Sequence, residues 1–62
     1  MNQNELRKRT LIFLEKLNLP ISRFAEANGF KRETYYKWIK GDLDFGEKRT
    51  EQIDTYLKQF GF

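Results

Sequence analysis

ISRFAEANGFKRETYYKWIKG, residues 21–41, is the stretch whose reading decides the fold. It divides at Asn28-Gly29, where glycine takes a left-handed backbone without a Cβ penalty, so a helix begun near Ile21 is expected to stop there. A second helix is expected from about Arg32 to Lys40, closed by Gly41, with Lys37 and Lys40 in the last turns where the helix dipole favours cations. At about 100° per residue, Tyr35, Trp38 and Ile39 share one face of it and Glu33, Tyr36, Lys37 and Lys40 project from the other. Two short helices on so tight a turn cross closely and steeply. Ala25 is small enough to permit the approach, and Phe24, Phe30, Tyr35 and Trp38 have the bulk to fill the wedge.

On the N-terminal side, Asn2 followed by Glu5 is a plausible reciprocal cap, and Leu6, Thr10, Phe13, Leu14 and Leu17 recur at helical spacing. A helix is expected from about Gln3 to Leu17, with Leu11 and Ile12 on its flanks needing either the core edge or a partner. The run Arg7, Lys8, Arg9 reads first as a solvated face and second as a contact to a phosphate backbone. Pro20 breaks the pattern. The helix that follows starts either on a Ser22 cap or with Pro20 just inside it. On the C-terminal side, Asp44 and Glu47 form a second capping-box candidate, and a helix from about Phe45 to Phe60 carries Phe45, Ile53, Tyr56, Leu57 and Phe60 on one stripe. There is no strand signal, repeat or low-complexity segment. The expected class is all-α, a single compact four-helix domain over residues 1–62 with a helix-turn-helix at its centre.

Sixty-two residues bury only about 60% of the surface that the unfolded chain exposes, and no cysteine is present to staple them. Six Phe, three Tyr and one Trp supply the bulk for a core instead. No apolar run approaches a membrane span and the first residues lack a secretory pattern, so a cytoplasmic protein is expected. The formal charge is +3. Residues 1–20 carry four basic and two acidic groups, residues 21–41 five and two, and residues 42–62 three and five. The mild positive balance, which leans towards polyanionic partners without naming one, therefore lies on the first two thirds, and the last third is acidic. Without histidine or cysteine, and with Ser22 the only serine, neither a nucleophile–base pair nor a soft-metal site can be assembled. No enzyme, metal or cofactor is expected.

With Ile21 as the first position, an alanine falls at the fifth, a glycine at the ninth and apolar residues at the fourth, tenth, fifteenth and eighteenth. In this the chain resembles the Cro and repressor type of helix-turn-helix found in phage and plasmid regulators, the lambda-repressor-like fold. Two positions depart from that pattern: Ile21 stands where many relatives keep a phosphate-touching glutamine, and Asn28 where an apolar residue is usual. The resemblance implies a sequence-specific regulator of transcription that binds double-stranded DNA and sets the helix from about Arg32 into the major groove. The corresponding residues are Lys31, Arg32, Glu33, Tyr36, Lys37 and Lys40.

Chemistry gives each a part. Arg32 suits guanine O6 and N7, and Glu33 suits the amino group of cytosine or orients Arg32. Lys31, Lys37 and Lys40 suit phosphates, as do Ser22 and Arg23 at the preceding helix start. Tyr36 suits a phosphate or a thymine methyl. Relatives bind as dimers on palindromic operators, half-sites about 34 Å apart. Phe60 and Phe62 either close this chain's own core or enter a partner subunit. The other readings are a protein-binding adaptor or inhibitor on the same fold, and an excisionase-like DNA-architectural protein.

Overall fold

The computed structural model describes residues 2–62 and contains four helices, α1 (Gln3–Lys16), α2 (Ile21–Ala27), α3 (Arg32–Lys40) and α4 (Glu47–Gln59). No strand occurs among the described residues, and the all-α, four-helix architecture is the one expected. α1 opens on Asn2, whose Oδ1 accepts from the N–H groups of Asn4 at 2.8 Å and Glu5 at 3.3 Å. This satisfies two of the donors that a helix start leaves open. The helices close on a repeated pair of backbone bonds. Phe30 N–H reaches Ala25 O at 2.8 Å and Gly29 N–H reaches Glu26 O, and the same pattern ends α3 through Asp42 and Gly41. Gly29 and Gly41 sit at φ +73° and +88°, and a Cβ at either would meet no atom within 4 Å. Glycine is required there for the backbone angle and not for close approach. α1 ends the same way on Asn18, at φ 51°.

α1 packs on α4 and α2 on α3, and aromatic rings fill both pairs and join them through Phe13 and Phe24. Phe13 presents its ring edge-on to Phe24, Tyr56, Phe60 and Phe62 at centroid separations of 5.3 to 5.9 Å. Phe24 meets Tyr35, Tyr35 meets Trp38, and Trp38 stacks on Phe45 at 5.1 Å. Offset and edge contacts of this kind add about 0.5 to 1.5 kcal/mol each beyond burial. Leu6, Phe13, Phe24, Ala25, Tyr35, Trp38, Ile53 and Leu57 are almost wholly buried.

Several sequence expectations are corrected. The Arg7–Arg9 run is not a solvated face. Arg7 is buried, with Nε donating to Trp38 O, Nη1 to Asn4 Oδ1, and Nη2 to Leu43 O at 2.8 Å and Asp44 at 2.7 Å. Arg9 bonds Asp54 and the Phe62 carbonyl; only Lys8 is fully outside. Asp44 is engaged by Arg7, so no capping box forms. α4 starts two residues later than expected on Gly46, with no side-chain cap, leaving Phe45 a buried residue of the loop. Ser22 does not cap α2 either; Pro20 holds the cap position without a side-chain bond. Leu17 and Phe60 were expected in the core and stand about half exposed.

The Tyr35 hydroxyl is buried with no hydrogen-bond partner. Thr10 is its polar neighbour; it donates its own proton to the Leu6 carbonyl at 2.8 Å and keeps a lone pair towards the phenol, but no bond of acceptable geometry joins the two hydroxyls. Burial pushes the phenol well above the ordinary tyrosine range. An unsatisfied buried hydroxyl costs about 1 to 3 kcal/mol. Tyr35→Phe is therefore expected to raise stability by about 1 kcal/mol in urea unfolding, whereas loss of stability would show that the hydroxyl has a partner.

Asp54 behaves oppositely. The hydrogen bond from Arg9 holds its carboxyl below the ordinary range, burial pushes it up, and Lys58 at 3.1 Å pulls it down again. The folded state thus binds this proton less readily than the unfolded one, for which an aspartate titrates near about 3.9. The stabilisation is complete above that value and is lost as pH falls through the lower folded value. Urea midpoints from pH 6 to pH 2 are expected to show this acid loss in the parent, and a shallower one in Asp54→Asn.

Candidate functional site

α3 is held at both ends of its inner face. Trp38 Nε1 donates to Gln3 Oε1 at 2.7 Å while Gln3 Nε2 donates to Phe45 O at 2.9 Å, so one α1 side chain ties α3 to the loop that follows it. The Arg7 guanidinium lies 5.4 Å from the Trp38 ring centroid and bonds the Trp38 carbonyl. At the other end, Phe24 and Phe30 flank Tyr35. Asn28, the departure from the usual apolar residue, is buried and donates through Nδ2 to Phe24 O at 3.0 Å, and its own carbonyl accepts from Gln52 at 2.9 Å. The Asn28 side chain thus closes the end of α2 on itself, and the backbone carbonyl of the same residue ties the turn to α4. Ile21, the other departure, is half-buried against the core and offers no polar group outward.

The outer face of α3 is free. Lys31, Arg32, Glu33, Tyr36, Lys37 and Lys40 are all exposed, and they lie on or just before one nine-residue helix. Arg23 is exposed on α2, while Ser22 is half-buried. Among the described residues, Arg23, Lys31, Arg32, Glu33 and Lys37 form no ion pair; Glu33 does not hold Arg32. Lys40 alone meets a carboxylate, Asp42 at 4.0 Å, with both side chains about two-thirds exposed. Such a pair is worth about 0 to 1 kcal/mol and yields readily to a competing anion. No side chain caps the start of α3, so its first N–H groups and the positive end of its dipole face outward beside Lys31 and Arg32.

One cation escaped the sequence reading. The Arg49 guanidinium lies 4.8 Å from the Phe30 ring centroid and 5.6 Å from that of Phe45, which places a charge from α4 beside the approach to α3. The sequence signal was weak, an arginine in an otherwise acidic segment. That segment keeps Asp42, Asp44 and Glu47 exposed just past α3. Between the end of α2 and α4 runs an open groove of about 390 Å³, lined among others by Asn28, Lys48, Glu51, Gln52, Thr55 and Tyr56. It contains no cluster of metal-ligating side chains among the described residues.

At the C-terminus, Phe62 folds onto its own chain. Its ring packs on Phe13, its N–H reaches Leu57 O, and its carbonyl accepts from Arg9 at 3.0 Å. Phe60 contacts Phe13 and Tyr56 but leaves half its surface outside. No helix among the described residues is long and apolar enough to cross a membrane. Compared with known proteins, the chain matches no family model, no curated protein and no solved structure.

Proposed function

We propose that this chain is a sequence-specific double-stranded DNA-binding regulator of transcription, acting by occupying an operator with α3 in the major groove. The observation that carries the reading is the contrast between the two faces of α3. Its inner face is fixed by Tyr35, Trp38, Gln3 and Arg7, while its outer face presents unpaired Lys31, Arg32, Glu33, Tyr36 and Lys37. A rigid helix with free donors along one strip meets both requirements of groove reading, fixed register and available hydrogen-bonding groups. In this reading Arg32 and Glu33 address base edges, and Lys31, Lys37, Lys40 and Arg23 address phosphates. Ser22 adds the backbone of the α2 start, and Tyr36 adds a phosphate or methyl contact. The operator is a palindrome read by two copies; Phe62 is taken up by its own chain and is not available to join them. No catalytic step and no cofactor enter.

Selection of bound duplexes from a random pool tests this. Enrichment of a palindromic motif is the expected result, and no enrichment above non-specific background would sink it. The acidic groups of α4 and its leading loop, with the groove beside them, support a second reading as a protein-binding adaptor or inhibitor. That reading expects loss of activity on charge reversal in α4 and no sequence preference on DNA. An excisionase-like architectural role is a variant of the first reading, distinguished by DNA bending in a circular-permutation gel.

A further inference from the structure

We infer that the outward face of α1 is a self-complementary surface for a second copy of this chain, pairing α1 with α1 in antiparallel fashion about a two-fold axis between Leu11 and Ile12. Leu11 and Ile12 are 46% and 50% exposed, and neither is one of the buried residues that form the core. On the helical wheel, the direction away from the buried residues Leu6, Thr10 and Phe13 runs through Lys8 and Glu15, with Leu11 and Ile12 about 50° to either side of it. Lys8 and Glu15 are exposed and form no ion pair among the described residues, unlike Arg7 and Arg9 on the same helix.

The spacing supplies the complementarity. The midpoint between positions 8 and 15 is the midpoint between 11 and 12. A two-fold axis there sets Lys8 opposite the partner's Glu15, Glu15 opposite the partner's Lys8, and the two Leu11–Ile12 pairs against each other in the middle. This is the pattern an isologous interface requires, in which one patch must fit itself. Within one chain Lys8 and Glu15 stand about 10 Å apart along the axis, too far to satisfy each other. In the antiparallel pair each charge gains a partner and four aliphatic side chains leave water. Two aliphatic residues a side make a small contact, so association falls in the weak class. The surface is separate from α3, and the inference does not rest on DNA binding.

Sedimentation equilibrium without DNA, from roughly 10 µM to 1 mM, reads it. The parent is expected to pass from monomer towards dimer across this range. Lys8→Glu and Glu15→Lys are each expected to weaken association about tenfold or more, because each turns both attractive pairs into repulsive ones. Both positions are exposed, so circular dichroism of both variants should match the parent. The distinguishing result is the mixture. Lys8→Glu carries two acids and Glu15→Lys two bases, so the two variants, each monomeric alone, are expected to form a one-to-one heterodimer. A parent that stays monomeric at 1 mM overturns the inference, as does a mixture that fails to associate. Association lost in Phe60→Ser but unchanged in both α1 variants assigns it to the C-terminal face and overturns it equally.

Discussion

Replacing Arg7 by alanine is expected to lower stability by about 2 to 4 kcal/mol, the largest loss for any charged position in the chain. The Arg7–Asp44 ion pair contributes little to that figure. Asp44 is 73% exposed, and a half-solvated pair of this kind is worth less than about 1 kcal/mol. The cost lies in the carbonyls. The Leu43 carbonyl loses its charged donor, the Trp38 carbonyl keeps only the Gly41 N–H, and the Trp38 ring loses the guanidinium beside it. Hydrogen bonds to charged groups are worth about 1.5 to 3 kcal/mol each. A domain of this length holds roughly 3 to 9 kcal/mol in all. Thermal unfolding followed at 222 nm should therefore show the midpoint falling by roughly 10 to 30 °C. Arg7→Lys should recover less than half of the loss, since one ammonium cannot reach three directions at once. Lys8→Ala should fall within about 0.5 kcal/mol of the parent. A loss below about 1 kcal/mol for Arg7→Ala would show that the network is ornamental to stability.

Arg7 also marks where sequence reading stopped. The boundaries of α3, the turn at Gly29 and the inner residues Phe24, Ala25, Tyr35 and Trp38 were legible, because each depends on local periodicity or on one backbone angle. Arg7 was not, because a wheel scores apolar residues as inside and passes over a cation. Its place at the core edge, four residues from Gln3 and three from Thr10, was visible only as geometry. Its acceptors, Trp38 and Leu43, are more than thirty residues away. Asp44 failed as a helix cap for the same reason: a local rule gave it one partner, and a distant arginine held it instead. Asn28 combines the two cases. Its polar side chain at the turn is plain in the sequence and bonds locally to Phe24, but the Gln52 side chain that holds its backbone carbonyl lies on another helix. What the outer face of α3 binds is a separate matter, because exposed residues have no internal partners that could reveal their purpose.

That face supports the second large prediction. Arg32→Ala is expected to cut the preference for a selected operator over random duplex by about 5- to 150-fold, the equivalent of one lost bidentate base contact at about 1 to 3 kcal/mol. Lys37→Ala is expected to weaken operator and random duplex alike, because a phosphate contact carries no base information. Salt separates the two. With Lys31, Lys37, Lys40 and Arg23 on phosphates, the log–log slope of affinity against salt is expected near about −3.5 per subunit, and Lys37→Ala should make it shallower by about 1. Lys40→Ala should change it less, since Asp42 stands 4.0 Å from the Lys40 ammonium and competes for it. Glu33→Gln is expected to raise affinity for random duplex while narrowing the margin for the operator. Removing an acid from a phosphate-lined groove helps everywhere, and a lost cytosine contact harms only at the right sequence. None of these side chains is bound within the fold except Lys40, so unfolding midpoints should stay within about 0.5 kcal/mol of the parent and separate a binding defect from a folding one. Equal losses on operator and random duplex for Arg32→Ala would remove it from base reading, and unchanged binding across all four variants would remove α3 from the interface.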